Sequence, residues 1–294
     1  MTSTIGIDLR AATILAVALD EHGTILADAT APLSVGGAVE AAAAAGRAAG
    51  LDPSTRVGLA AWEPNLSEVQ SVAAELRRAG VPTVVTAGAG LAAAAAETAY
   101  GAGREAHYVA CLLVGQHVSA GAIVGGRPWT GAHGLAGSAA WLALNPVERQ
   151  DYRTLGCLDA EVSDSGIARR LTWRVEAGDL SRVVERAGGL DQVTATHVLN
   201  GARQGDGVAI SVVRDTARYI GMAVANLIAL FDPEVVVVGG FVATASDLLL
   251  EPVRQETLKR LSPTLCEHAR LELPALGEQG VAIGAARLAA LSTP

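Results

Sequence analysis

The chain has 294 residues, half of them apolar but only 3% aromatic, and a net charge of −8 with a pI near 5.3. That length suits one large or two medium domains whose core is built from Ala, Val, Leu and Gly. The acidic balance and the lack of any Lys/Arg cluster exclude a nucleic-acid surface, and Lys259, the only lysine, lacks the Gly-Lys-Ser/Thr setting of a Walker loop.

Residues 1–5 carry neither a basic nor an apolar leader region, so no signal peptide is expected. Residues 4–10, 13–20 and 23–31 alternate or run apolar between turn residues and predict three antiparallel strands. Gly37 to Gly50 is alanine-rich and helical, Val57 to Ala61 a short buried strand, Asn65 to Ala79 a helix stopped by Gly80, Val81 to Thr86 a strand, and Leu91 to Tyr100 a helix. A second meander follows at His107–Val114, Val118–Val124 and near Trp129. Helices are expected at about 163–187, 191–204 and 207–231. A strand at 235–238, a helix at 246–261, a strand near 270–273 and a helix over 280–291 complete the series. The apolar run from Ile220 to Phe231 is broken by Asn226 and too short to span a bilayer, so no membrane partner is expected. Cys111, Cys157 and Cys266 are scattered thiols without a disulfide framework, which fits a cytoplasmic protein.

The stretch Gly88-Ala-Gly-Leu-Ala-Ala-Ala-Ala-Ala-Glu97, running on to Gly101 and Gly103, resembles the helix-opening segment of the ROK family of repressors, open reading frames and sugar kinases. The likeness continues in Gly6-Ile7-Asp8, in Gly131, Gly134, Ala136 and Gly137, in Gly156-Cys157-Leu158-Asp159, in Asp232-Pro233-Glu234 followed by Gly239-Gly240, and in Gly284-Ala285-Ala286. It implies a two-lobed α/β actin-like, ribonuclease-H-type sugar-kinase fold. The lobes are expected at 1–112, with 281–294 packing back on them, and at 113–280, closing over a cleft. It also implies a homodimer.

The family writes Asn-Asp where this chain has Gly88-Ala89. By the resemblance, the catalytic base position is Ala89, and a methyl group cannot accept the proton of a sugar hydroxyl. Other losses accompany it. The first phosphate loop, Asp8-Leu9-Arg10-Ala11-Ala12-Thr13, lacks the family's paired glycines. Asp8 is left either to organise a metal-bound water, with Arg10 on phosphate, or to sit in a plain hairpin corner. The second loop, Gly115 to Gly121, keeps those two end glycines but carries His117 inside. His117 is a ligand contact or a polar residue in a hairpin that no longer binds phosphate. Ser138 and Trp141 replace the sugar-binding Glu and His; the indole either stacks on a sugar or fills the cleft. Asp159 stands for a sugar-binding Glu, or is a solvated loop residue. Gly239 and Gly240 are the adenosine-side glycines or a strand-to-helix turn, with Phe241 where a third glycine is usual.

The zinc element implied by the resemblance is degenerate: Gln150 and Tyr152 occupy the first two cysteine positions and only Cys157 survives, so no metal is expected. The resulting expectation is a pseudokinase with a sugar-like ligand or a partner kinase subunit, and weak ATP/Mg binding at best. One alternative is a working ATP-dependent kinase whose base is His133, His117 or Asp159. Another is a ROK-type regulator without its DNA-binding domain, since few residues precede Gly6.

Overall fold

A computed structural model describes residues 3–10, 12–52 and 55–292. Its first sheet has five strands: β1 (Thr4–Leu9), β2 (Thr13–Leu19), β3 (Ile25–Pro32), β4 (Arg56–Ala61) and β5 (Val84–Gly88), in the order β3-β2-β1-β4-β5. The first three pair antiparallel, whereas β1–β4 and β4–β5 are parallel. β1, β2 and β4 read as near-continuous apolar runs because both faces of the sheet are covered there, whereas the edge strand β3 is largely exposed. Successive residues of β2 point opposite ways. Ile14, Ala16 and Ala18 face α1 (Val35–Ala48) and α2 (Ser67–Arg78), while Leu15, Val17 and Leu19 meet α3 (Ala89–Tyr100) and α13 (Gly280–Leu291).

A second five-stranded sheet contains β6 (Val109–Val114), β7 (Val118–Val124), β8 (Arg127–Pro128), β9 (Val235–Gly240) and β10 (Leu271–Glu272), in the order β10-β9-β6-β7-β8. Helices α4 (Tyr152–Leu155), α5 (Cys157–Val162), α6 (Asp164–Glu176), α7 (Val183–Ala187), α8 (Ala195–Arg203) and α9 (Gly207–Phe231) lie between β8 and β9. Helices α10 (Phe241–Thr244), α11 (Ser246–Leu258) and α12 (Pro263–His268) follow β9. Two five-stranded sheets dressed with helices make the mixed α/β architecture that the resemblance implies. No helix among the described residues is long and apolar enough to cross a membrane.

The chain divides into two compact units. The first comprises the stretch up to Cys111, Ser119–Gly137 and the residues from Pro274 onward; the second comprises Leu112–Val118 and Ser138–Leu273. In the first unit α13 packs on β1, β4 and α3 at backbone distance. The glycines make this approach. A Cβ on Gly58 would strike the Ala285 carbonyl, one on Gly6 the Ala282 carbonyl, and one on Gly284 the carbonyl of Ala92. In the second unit the 25-residue α9 is the central helix, touched by α5, α6, α8 and α11. The helix expected over 163–187 is interrupted. Gly178, at φ 104°, breaks the helical path after α6, and the chain resumes helix only at Val183.

Candidate functional site

In the first unit, Asp8 near the end of β1 is buried and accepts a hydrogen bond from Arg10 Nε at 2.8 Å. Burial raises its carboxyl above the ordinary aspartate range, and the Arg10 contact opposes that rise without cancelling it. The same guanidinium donates to the Glu278 backbone carbonyl and lies 3.6 Å from the Glu278 carboxylate. Arg10 is therefore engaged by the protein's own groups. Ala11, which the resemblance sets at the other glycine position of this loop, lies outside the described residues.

Ala89 is the first residue of α3, after Gly88, and the first turn holds no acidic residue. The N-terminus is met instead by the start of β7: the Gly90 amide donates to Ser119 Oγ at 3.0 Å. Gly90 and Gly121 bring helix and hairpin backbones together, since a Cβ on Gly90 would strike Ala120 and one on Gly121 would strike Leu91. Gly121 thus has a packing duty whether or not phosphate binds. His133 is exposed in the turn before Gly134.

Glu97 takes a role that the sequence reading did not give it. Its carboxylate, 2% exposed, accepts the amides of Ala102 at 2.7 Å, Ala275 at 3.0 Å and Leu276 at 3.2 Å. It fastens the end of α3 to the strand-to-helix loop before α13. The available signal was a lone carboxylate in an otherwise apolar alanine helix. Cys111 lies in the same interior, where burial, with Glu97's charge, pushes its thiol far up and makes it unreactive.

In the second unit, Gly115 closes a tight turn, its amide donating to the His117 carbonyl at 3.0 Å. Asp159 is on α5 and only 1% exposed, so it is no solvated loop residue. Its Oδ2 accepts the Val118 amide at 2.9 Å and lies 3.4 Å from His117 Nδ1, whereas its Oδ1 is buried with no hydrogen-bond partner. The structure brings Gly115, His117 and Asp159 together in this way.

Gly240 has φ 68°, and a Cβ there would run into the Val114 carbonyl oxygen, so the turn from β9 to α10 demands glycine for backbone reasons alone. Gly239 is buried beside it and Phe241 opens α10. Ser138 is exposed ahead of a 3-10 turn, Ala139–Trp141. The two alanines of that turn are buried, which leaves Trp141 facing outward with 52% of its surface exposed.

At the positions where the resemblance sets the zinc element, Tyr152 bonds its hydroxyl to Glu161, and buried Cys157 packs with Tyr152 and Ala160. Burial, reinforced by Glu161, pushes the Tyr152 hydroxyl well above its usual range. Among the described residues no three His, Cys, Asp or Glu side chains gather as a metal would require.

The defining pattern of the ROK family matches residues 61–291. A glucokinase of Thermotoga maritima is 28% identical over 190 residues, 64% of this chain and 60% of its own length, so the chain spans about three fifths of that relative. A glucokinase of Streptomyces coelicolor is 29% identical over 276 residues, covering 87% of each chain. Among solved structures, a ROK family glucokinase from Streptomyces griseus, in complex with glucose and AMPPNP, superposes with a TM-score of 0.80 at 28% identity. That match covers 99% of this chain and 100% of the other.

Proposed function

The chain belongs to the ROK family, and from that premise we propose that it is a member without sugar-phosphorylating activity, acting by binding. In this reading it is a cytoplasmic homodimer that senses a sugar-like ligand or regulates an active kinase subunit. The observation that carries the proposal is the start of α3. A methyl group occupies the base position, the first turn holds no acid, and the helix N-terminus is bonded to Ser119. The Arg10–Asp8 pair supports it, because a guanidinium already sits on the carboxylate that would organise a metal-bound water. Ser138 and Trp141 support it as well, since neither can accept a sugar hydroxyl proton as a carboxylate does.

The test is titration calorimetry with ATP and magnesium and with glucose, mannose and N-acetylglucosamine, alongside a coupled assay of ADP release. Ligand binding without hexose-dependent ADP release is expected. Release at ordinary kinase rates would overturn the proposal. One observation favours a second reading, a kinase with a relocated base: the buried Asp159 carboxylate beside His117, with Oδ1 unpaired. That reading requires turnover that disappears in Asp159→Asn.

A further inference from the structure

The ROK resemblance implies zinc at 150–157, and the residues there do not fit the ion. Gln150 and Tyr152 supply no thiolate, and one cysteine cannot complete a tetrahedral site. A different set of bonds converges on the same stretch. Glu161 of α5, whose side chain is 4% exposed, accepts Arg149 Nη1 at 2.8 Å and the Tyr152 hydroxyl through Oε1, and Arg170 Nη2 through Oε2. Arg149 also bonds Asp151 at 2.8 Å, and Arg169 reaches the same carboxylate at 3.0 Å.

Aromatic rings flank the cations. Arg149 lies 4.7 Å from the centre of the Trp173 ring and 5.0 Å from that of Tyr152, Arg169 lies 5.2 Å from Trp173, and Arg170 lies 5.6 Å from Tyr219. The Asn145 amide donates to the hydroxyls of Tyr152 and Tyr219, at 3.1 and 3.2 Å. Arg169 and Arg170 further donate to the carbonyls of Ala160 and Glu161, at 2.6 Å each, so two cations cover the C-terminal end of α5.

We propose that this ion–aromatic cluster, centred on Glu161, replaces a structural metal in tying the 145–155 segment to α5, α6 and α9. The residue at the second ligand position, Tyr152, is itself a member of the cluster. Three guanidinium groups and two carboxylates do what a tetrahedral ion does elsewhere: they crosslink segments distant in sequence with directional, charge-assisted bonds. The inference is independent of whether phosphate transfer survives.

The test combines metal analysis of the purified full chain with thermal melts of the wild type, Glu161→Gln, Arg149→Met, the double variant and Trp173→Leu, each with and without 1,10-phenanthroline. Expected are no stoichiometric zinc and a wild-type Tm that the chelator does not move. Glu161→Gln leaves buried guanidinium charge unpaired and is expected to lower Tm by on the order of 10 °C. The double variant should lose clearly less than the two single losses combined. Trp173→Leu, on a half-exposed ring, remains foldable and should lose about 2–4 °C, which decides the matter if Glu161→Gln does not fold. One tightly held zinc per chain, a chelator-induced fall in Tm, unchanged melting of Glu161→Gln, or unchanged melting of Trp173→Leu would overturn the proposal.

Discussion

Replacing Ala89 by Asp restores a carboxylate at the first residue of α3, and two readouts of that variant should part company. Ala89 is partly exposed and its helix starts without an acid, so the new side chain has room and meets the positive end of the helix dipole. Such a charge is worth about 0.3–1 kcal/mol, or roughly 1–3 °C in Tm. A general base contributes about 10²–10⁴ in rate, equivalent to ~3–5 kcal/mol of barrier. Substrate positioning contributes up to about 7–11 kcal/mol, and in the proposed reading, with Ser138 and Trp141 at the sugar-contact positions, most of it is missing. The base alone therefore leaves turnover at background. The assay is coupled ADP release with millimolar glucose, mannose or N-acetylglucosamine, paired with a thermal melt. Hexose-dependent release near 1 s⁻¹ would refute the argument that positioning is lost, and a fall in Tm would refute the placement of residue 89 at a helix N-terminus.

Glu97→Ala removes the buried acceptor of three partly buried amides and is expected to cost roughly 2–3 kcal/mol in urea denaturation; a loss below about 1 kcal/mol would contradict the bonding described. Gly284→Ala forces a methyl into the Ala92 carbonyl, and a destabilisation of at least about 1–3 kcal/mol should appear in the same experiment. Asp206 caps α9 through the Ala209 amide and also accepts from Arg182 and Ser181; despite desolvation these bonds hold its carboxyl below the ordinary range. Its contribution is present above an ordinary aspartate pKa of ~3.9 and lost as pH falls through the lower folded value. Asp206→Ala should thus cost about 1–2 kcal/mol at pH 7 and nothing in strong acid, as paired melts across pH would show. Asp8 has the opposite sign. Its raised folded pKa means that ionisation costs stability at neutral pH, so Asp8→Asn should melt higher than wild type at pH 7, with the gap closing as pH falls toward ~3.9. A lower Tm at pH 7 would show that the Arg10 pair outweighs burial.

Alternation and turn residues suffice to place the first three strands, and 3.6-residue periodicity places α9 and α13 within a residue or two. The short helices α4, α5, α10 and α12 escape such reading because one or two turns hold no period. Ala89, Ser138 and Trp141 can be set against the family's site positions because glycines at fixed spacing anchor the comparison. The duties of Gly121 and Gly240 are not: each touches a backbone distant in sequence, and a glycine kept for packing looks like one kept for phosphate. Arg10 on Glu278, Glu97 on Ala275 and the convergence on Glu161 are tertiary facts. They rest on side-chain reach between elements that no local pattern links.

The first unit is assembled from three separated stretches, and its last helix inserts against β1, β4 and α3 through glycine contacts that leave no space for water. This imposes an order on biosynthesis. The opening meander leaves the ribosome early, yet the apolar face formed by Leu15, Val17 and Leu19 has only α3 to cover it until residues 280–291 emerge. The second unit, complete by Leu273, is available to fold before the first can close. During translation the nascent chain therefore carries a half-covered strand face across the time needed to synthesise most of its length. Chaperone dependence of expression is expected to track substitutions in α13 more closely than substitutions in α9.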